Sequence, residues 1–376
     1  MSSPLSQPLA VYRALLPRTA RLLPYLERMD ANRWYTNRGE LVQLLEKRLG
    51  ERIGTPLMTA SNGTAAIEAT VLATAGRATA ERPLALMPAY TFVATAAAVE
   101  ACGYRPYLLD VDPQTWALKA ADLTGHAALD RAGVVVPVAP YGRAIDQREW
   151  QAFQARTNIP VVIDAAAAFE ALLAAPQCTG TIPVTLSFQS TKAFSSGEGG
   201  AVVWSDTEGL LRVARSLNFG FLYKRESTSA GLNGKMSEYH AAVGLAALDG
   251  WDETRQLNQT VAMAYRASAT ASGIGDRLFV APDVASNYAL LDADSPSAAT
   301  ALVAALAKDG IESRLWYGRG LHREPYWVDA ERDELPVTDR LAPSLVGLPI
   351  ACDLSRGEVD RVVAALTRTL LSKTPD

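Results

Sequence analysis

The sequence predicts an α/β protein in two parts: a large domain on a mostly parallel sheet flanked by helices, then a smaller C-terminal α+β domain. Three observations lead there. A chain of 376 residues exceeds what one ordinary core accommodates. Up to about residue 205, short apolar runs alternate with amphipathic stretches. Beyond that, a long helical stretch leads into a segment of different rhythm. With 49% hydrophobic and 20% charged residues, the composition is that of a globular protein with little scope for disorder.

Early in the chain, Leu41, Leu44, Leu45, Leu49 and Ile53 recur at helical spacing, which reads as a helix. Asn37 followed by Glu40 reads as a variant capping box at its start. Apolar runs then follow at 83–88, 106–111, 133–139, 159–164, 182–188 and 201–204. They are short, continuous and rich in β-formers, which suits strands buried on both faces. Stretches such as 91–102 and 147–157 supply the intervening helices, and such alternation implies a mostly parallel sheet covered on both sides. A helix over about 236–258 closes the large domain. The C-terminal part has a strand at 287–291, a helix at 297–309 and a last helix from about 355 to 371. The expected division is 1–255 and 256–376.

Composition also excludes partners. Net charge is −4, with no run of Lys and Arg, so neither a nucleic acid nor an anionic membrane surface is expected. No apolar segment is long enough to span a bilayer. The opening residues, MSSPLSQPLAVYRALLPRTARLL, carry no basic leader before an apolar stretch, which points to the cytoplasm. Cys102, Cys178 and Cys352 are odd in number and lack CxxC spacing, against a disulfide framework or a zinc site. Only His126, His240 and His322 are available as imidazoles, and no metal is expected. His240 reads as packing in an Ala-rich helix.

Ligands of open α/β sheets bind at the carboxyl ends of strands, and three features fall there. Ser61-Asn62-Gly63-Thr64-Ala65-Ala66 is a small-residue turn opening a helix, where free amides and the helix dipole suit a phosphate; the same residues are ordinary turn formers. Asp164 ends a strand, either as a helix cap or as the partner of a ligand cation. Lys192 follows Ser187-Phe188-Gln189-Ser190-Thr191 and precedes Gly197-Glu198-Gly199-Gly200. A partly desolvated lysine there can attack a carbonyl, although most lysines are surface charges. Together the three answer the needs of pyridoxal 5′-phosphate (PLP). The turn anchors its phosphate, Lys192 forms the imine, and Asp164 keeps the ring nitrogen protonated so that the ring accepts electrons. A dinucleotide would require GxGxxG after the first strand, which is absent.

Over nearly its whole length the chain resembles the DegT/StrS-type sugar aminotransferases, a family of fold-type I PLP transferases. The stretches that carry the resemblance are SNGTAA, PAYTFVATAAAV, LLDVD, VVPVAPYG, VVIDAAAA, LSFQSTKAFSSGEGGAVV, GLNGKMSEYHAAVGL and GLPI, with SFxxxK…GEGG the most specific.

The resemblance implies a seven-stranded large-domain sheet, a homodimer with shared active sites, and roles for individual residues. Lys192 would carry PLP and shuttle the proton. Asp164 would face the pyridine nitrogen. Gly63, Thr64, Ala65 and Ser187 would hold the phosphate, Phe92 would stack on the ring, and Asn233 would reach the phosphate of the partner subunit. Gln189, Tyr317 and His322 fall at substrate-lining positions. Ala167 departs from the family, which commonly has Gln or His three residues after the aspartate. Because Lys192 is not replaced by histidine, transamination is implied rather than dehydration. The implied reaction moves an amino group from an amino acid, glutamate by analogy, to a nucleotide-linked keto-deoxyhexose. A cyclitol ketone as acceptor, and a PLP-binding regulator without turnover, are the alternatives. A diphosphate needs local cations in an acidic protein, and Arg38, Lys224, Arg225 and Arg319 are the candidates.

Overall fold

The computed structural model of the protein describes residues 8–280 and 287–371. The leader reading therefore falls in part, at residues 1–7, outside the described residues. In chain order the elements are α1 (Thr19–Asn32), α2 (Glu40–Ile53), β1 (Leu57–Ala60), α3 (Gly63–Thr74), β2 (Leu84–Pro88), α4 (Val93–Ala101), β3 (Arg105–Leu109) and β4 (Ala132–Val135). Next come α5 (Gln147–Thr157), β5 (Ile163–Asp164), α6 (Phe169–Ala174), β6 (Val184–Ser187), β7 (Gly200–Val203), α7 (Thr207–Ser216) and α8 (Glu238–Asp249). The chain finishes with α9 (Trp251–Ala271), β8 (Leu278–Phe279), β9 (Ala289–Asp292), α10 (Pro296–Lys308), β10 (Glu331–Arg332), α11 (Pro336–Leu341), β11 (Leu345–Leu348) and α12 (Arg356–Leu371).

Two four-stranded ladders, β1-β7-β6-β5 and β10-β3-β2-β4, build the larger unit. Parallel bridges Val135–Val161 and Val138–Asp164 join them into one sheet, because the chain before β5 runs beside β4. All neighbours are parallel except β7, which runs against both β1 and β6. The seven strands expected are thus present, with the two-residue β10 added beside β3. Strands β1, β2, β4, β6 and β7 are buried at every position, as continuous apolar runs require when helices cover both faces. Half of the buried residues of α3 and α4 are alanine, and such small side chains let the helices lie close to the sheet.

Residues group into two units, and the division is not the contiguous one expected. The larger comprises Leu16–Trp251 together with Leu321–Leu335; the smaller takes the N-terminal stretch through Leu15, Asp252–Gly320 and the chain from Pro336. Inside the smaller unit, β11-β9-β8 form an antiparallel sheet, and Leu302, Leu306, Val359, Val362 and Leu366 of α10 and α12 share its core. The N-terminal stretch belongs there because Leu9 bridges Ile311 and Tyr12 bridges Ile350. Segment 321–335 belongs to the larger unit because Leu321 and Leu335 enter the core around β2 and α4.

Two local expectations are corrected. The helix over 236–258 is two helices, α8 and α9, broken at Gly250, where the Arg21 side chain fills the space a Cβ would need. The capping box at Asn37 and Glu40 does not form. Asn37 and Arg38 both adopt left-handed backbone, Gly39 takes the cap position with no side-chain cap, and the buried Glu238 carboxylate accepts from the Leu41 (2.7 Å) and Val42 (3.3 Å) amides instead. Long-range packing supplies the anion that local sequence was expected to supply.

Candidate active site

The parallel strands end at one edge of the large sheet, and the chain leaving β1, β2, β5 and β6 gathers the expected residues there. Helix α3 begins at that edge. Asn62 is its cap, accepting from the Ala65 amide (2.8 Å). The amides of Gly63 and Thr64 stand at the open, positively polarised end of the helix. Gly63 is required by its neighbour: a Cβ would lie 2.9 Å from Ser187 Cβ. Gly200 is likewise pressed on the Asn62 carbonyl, which a Cβ would meet at 2.5 Å. Two glycines therefore bring Ser187, the last residue of β6, against the helix end and form a shallow cradle of amides and one hydroxyl.

Asp164 sits at the end of β5 with 5% of its surface exposed. Its Oδ1 accepts from the Ala166 amide (3.1 Å) and its Oδ2 from the Thr95 hydroxyl (2.7 Å). Thr95 in turn lies 2.9 Å from the Thr91 hydroxyl. Burial pushes the Asp164 carboxyl above its ordinary range, while Thr95, the Ala166 amide and the charge of Lys192 draw it back. A carboxylate so enclosed is suited to a cationic ring nitrogen.

Lys192 is half-buried in a closed loop between β6 and β7. Its amide donates to the Gln189 carbonyl (2.8 Å), and the loop is sealed by Phe188 N to Gly199 O (2.8 Å) and Ser196 N to Phe188 O (2.9 Å). Beneath it, Phe188 and Phe194 pack with Phe169 and Trp251, Phe169 and Phe194 stacking at 4.6 Å. This aromatic clasp fixes the loop, and the lysine emerges from it within electrostatic reach of Asp164. Gln189 folds onto the same loop, accepting from the Thr191 amide (2.8 Å).

Phe92 caps α4 and leaves 56% of its surface exposed, an apolar ring uncovered one turn from the Thr95–Asp164 bond. His322 is buried in the larger unit, and the Leu321 amide beside it donates to the Ala89 carbonyl (2.8 Å), which places it by the end of β2. Tyr317 and Arg319 belong to the smaller unit. Asn233 is exposed, its Oδ1 accepting from Lys235 Nζ (3.0 Å).

Arg38 and Lys235 line a cavity of about 300 Å³ between α2, β1 and α7, together with Asn37, Asn218 and Tyr223. Arg38 also holds the buried Glu46 through Nε (2.9 Å) and a terminal nitrogen (2.7 Å). Burial lowers the ammonium pKa of Lys235. Lys224 and Arg225 are exposed.

Thr95 and Gly200 are site residues that the sequence reading passed over. Thr91 and Thr95 stand four apart at the start of a helix, a signal visible in TFVAT, but Thr in an Ala-rich helix reads as a helix-compatible residue until its partner is known.

The donors present fit PLP: amides and a hydroxyl for a phosphate, a buried carboxylate for a cation, an amine and an exposed aromatic face. Among the described residues, no group of three or more His, Cys, Asp or Glu side chains is placed to hold a metal ion. No helix among them is long and apolar enough to cross a membrane.

Known proteins resemble the chain over nearly its whole length. Residues 18–367 match a family model described as the DegT/DnrJ/EryC1/StrS aminotransferase family. The chain is 32% identical over 367 residues to Protein MT3510 of Mycobacterium tuberculosis, covering 94% of this chain and 88% of that protein. It is 28% identical over 368 residues to a dTDP-4-amino-4,6-dideoxy-D-glucose transaminase of Escherichia coli, covering 95% and 96% respectively. Among solved structures, DesI in the presence of its TDP-sugar product superposes with a TM-score of 0.86 at 28% identity, over 99% of this chain and 95% of that one.

Proposed function

The chain belongs to the DegT/DnrJ/EryC1/StrS aminotransferase family, and on that premise we propose that it uses PLP to transfer an amino group from an amino acid, glutamate in our reading, to a nucleotide-linked keto-deoxyhexose. The observation that carries this is the convergence at one sheet edge of the open end of α3 with Ser187, the enclosed Asp164 and the Lys192 loop. The names of the similar E. coli transaminase and of the DesI structure, both concerning dTDP- or TDP-sugars, support the substrate class.

Bound there, PLP supplies an electron sink for negative charge developing at the substrate carbon. The chain's own residues do the rest. The Gly63 and Thr64 amides and the Ser187 hydroxyl would bind the phosphate, the Ala65 amide being held by Asn62. Asp164 would hold a proton at the ring nitrogen, and Phe92 would cover a ring face. Lys192 Nζ would attach the cofactor at rest and, once displaced by the incoming substrate amine, would take the proton from the substrate carbon as a general base and return it as a general acid. Gln189 and His322 are assigned to the substrates, and Arg38 and Lys235 to the diphosphate.

We read the active protein as a cytoplasmic homodimer, in which Asn233 completes the phosphate site of the partner subunit. Two of the three cysteines are buried and all are free, as a reducing compartment allows.

The test is to incubate PLP-loaded protein with glutamate and a panel of dTDP-, UDP- and GDP-linked keto sugars, with a free keto-cyclitol alongside. We expect an amino sugar from at least one nucleotide-linked acceptor, and the same active preparation sedimenting as a dimer. Amination of the cyclitol alone would replace the substrate class. Absence of any turnover by a PLP-loaded protein would favour the regulator reading.

A further inference from the structure

We propose that Thr95, backed by Thr91, is a positioning residue that holds the Asp164 carboxylate in the orientation and charge with which it keeps a proton on the cofactor's ring nitrogen. The proposal rests on the PLP reading above and deepens it.

The two oxygens of Asp164 are answered separately. The Ala166 amide at 3.1 Å fixes Oδ1, and the Thr95 hydroxyl at 2.7 Å is the side-chain donor to Oδ2. Ala167, three residues past Asp164, has no polar side chain to offer the carboxylate. The task of orienting the carboxylate therefore passes to the first turn of α4, which carries Thr95 on a rigid element.

Hydrogen-bond counting gives the arrangement a direction. A hydroxyl has one proton, and an ionised carboxylate only accepts. With Asp164 ionised, Thr95 spends its proton on Oδ2, and its oxygen must accept from Thr91, at 2.9 Å. The chain then runs Thr91 to Thr95 to Asp164 through two short bonds. With Oδ2 protonated, the order reverses, and the Thr91 proton is left to the Phe92 carbonyl at 3.4 Å, a long contact. The hydroxyl pair thus favours the ionised carboxylate, against the burial that disfavours it. Lys192 is the charged side chain that acts on Asp164, and it favours the same form.

The experiment compares Thr95→Val, which keeps the shape and removes the hydroxyl, with Thr95→Ser, which keeps the hydroxyl. Each is loaded with PLP labelled with ¹⁵N in the ring, and the ring-nitrogen NMR shift and the PLP dissociation constant are measured. Wild type and Thr95→Ser should both show a protonated ring nitrogen. In Thr95→Val the signal should move toward the unprotonated value, and the dissociation constant should rise about tenfold or more, the scale of a hydrogen bond to a charged group.

Thr91→Val, one bond further back, should show the same shift in smaller measure, and it carries the test should Thr95→Val not fold. A ring-nitrogen signal in the valine variants equal to that of wild type would overturn the proposal, whatever their stability. Wild-type protein that takes up no PLP, or takes it up with an unprotonated ring, would instead remove the reading on which the proposal stands.

Discussion

A carboxylate enclosed as Asp164 is costs free energy unless something answers its charge. Two hydrogen bonds and Lys192 do so in part, yet its pKa stays raised. The sign follows. A carboxyl whose folded pKa lies above its unfolded value contributes stability that is fully present below the unfolded value, about 3.9, and lost as pH rises through the folded one. At neutral pH, above the unfolded value, PLP-free protein therefore lacks this stability, a loss that a bound cation would relieve. Asp164→Asn should melt higher than wild type without PLP at pH 7, by about 1–3 kcal/mol, the scale of a poorly answered buried polar group. The gap should close as pH falls toward about 4. With PLP the order reverses, and turnover by the variant should fall strongly. Thermal melts of both proteins across pH, with and without PLP, check this, and equal melting without PLP at pH 7 would refute it. At this scale Asp164 and Lys192 are legible from sequence because one ends an apolar strand and the other lies in the loop just past one. Thr95 is not, because what marks it is a partner 69 positions away in the chain.

Elements decide whether those residues meet. Helix α3 was legible as a turn opening a helix, but the reason for its glycine was not: Gly63 touches β6, and only packing brings Ser187 there. Gly63→Ala would place a methyl 2.9 Å from Ser187 Cβ and 3.3 Å from its Oγ. Neither a strand end nor a helix start yields easily, so the variant should lose about 1–3 kcal/mol of stability, as overpacked sites do. It should also bind PLP more weakly, because the hydroxyl and the helix amides are forced apart. Equilibrium dialysis of PLP and a melt of the same variant check both, and wild-type affinity would show that the cradle is not the phosphate site. The apolar runs located β2 to β7, though not β1, because burial on both faces leaves no polar alternation to read. Helix starts were less legible. The amides opening α2 are capped by Glu238, some two hundred residues away in the sequence, and no local pattern near Asn37 could announce that.

For the whole molecule, alternation and length pointed to two units and a mostly parallel sheet, and the sheet has that form. The order of its strands was not legible: β7, late in sequence, inserts between β1 and β6 and runs against both. Nor was the discontinuity of the units, since Leu9 and Tyr12 join the smaller one through single bridges, and Leu321 and Leu335 return to the core around β2. Such long-range choices are set by which surfaces complete a core, not by local periodicity. What they achieve is to bring four separate stretches of chain to one sheet edge, with Lys192 held on its aromatic clasp beside Asp164. The claim that this edge is a PLP site turns on that lysine. Purified wild-type protein should be incubated with PLP, reduced with borohydride, digested, and its peptides analysed by mass spectrometry, with Lys192→Ala treated alongside. A pyridoxyl group should appear on the peptide containing Lys192 and be absent from the variant; a stable adduct on another lysine, or one that survives Lys192→Ala, would refute the PLP assignment.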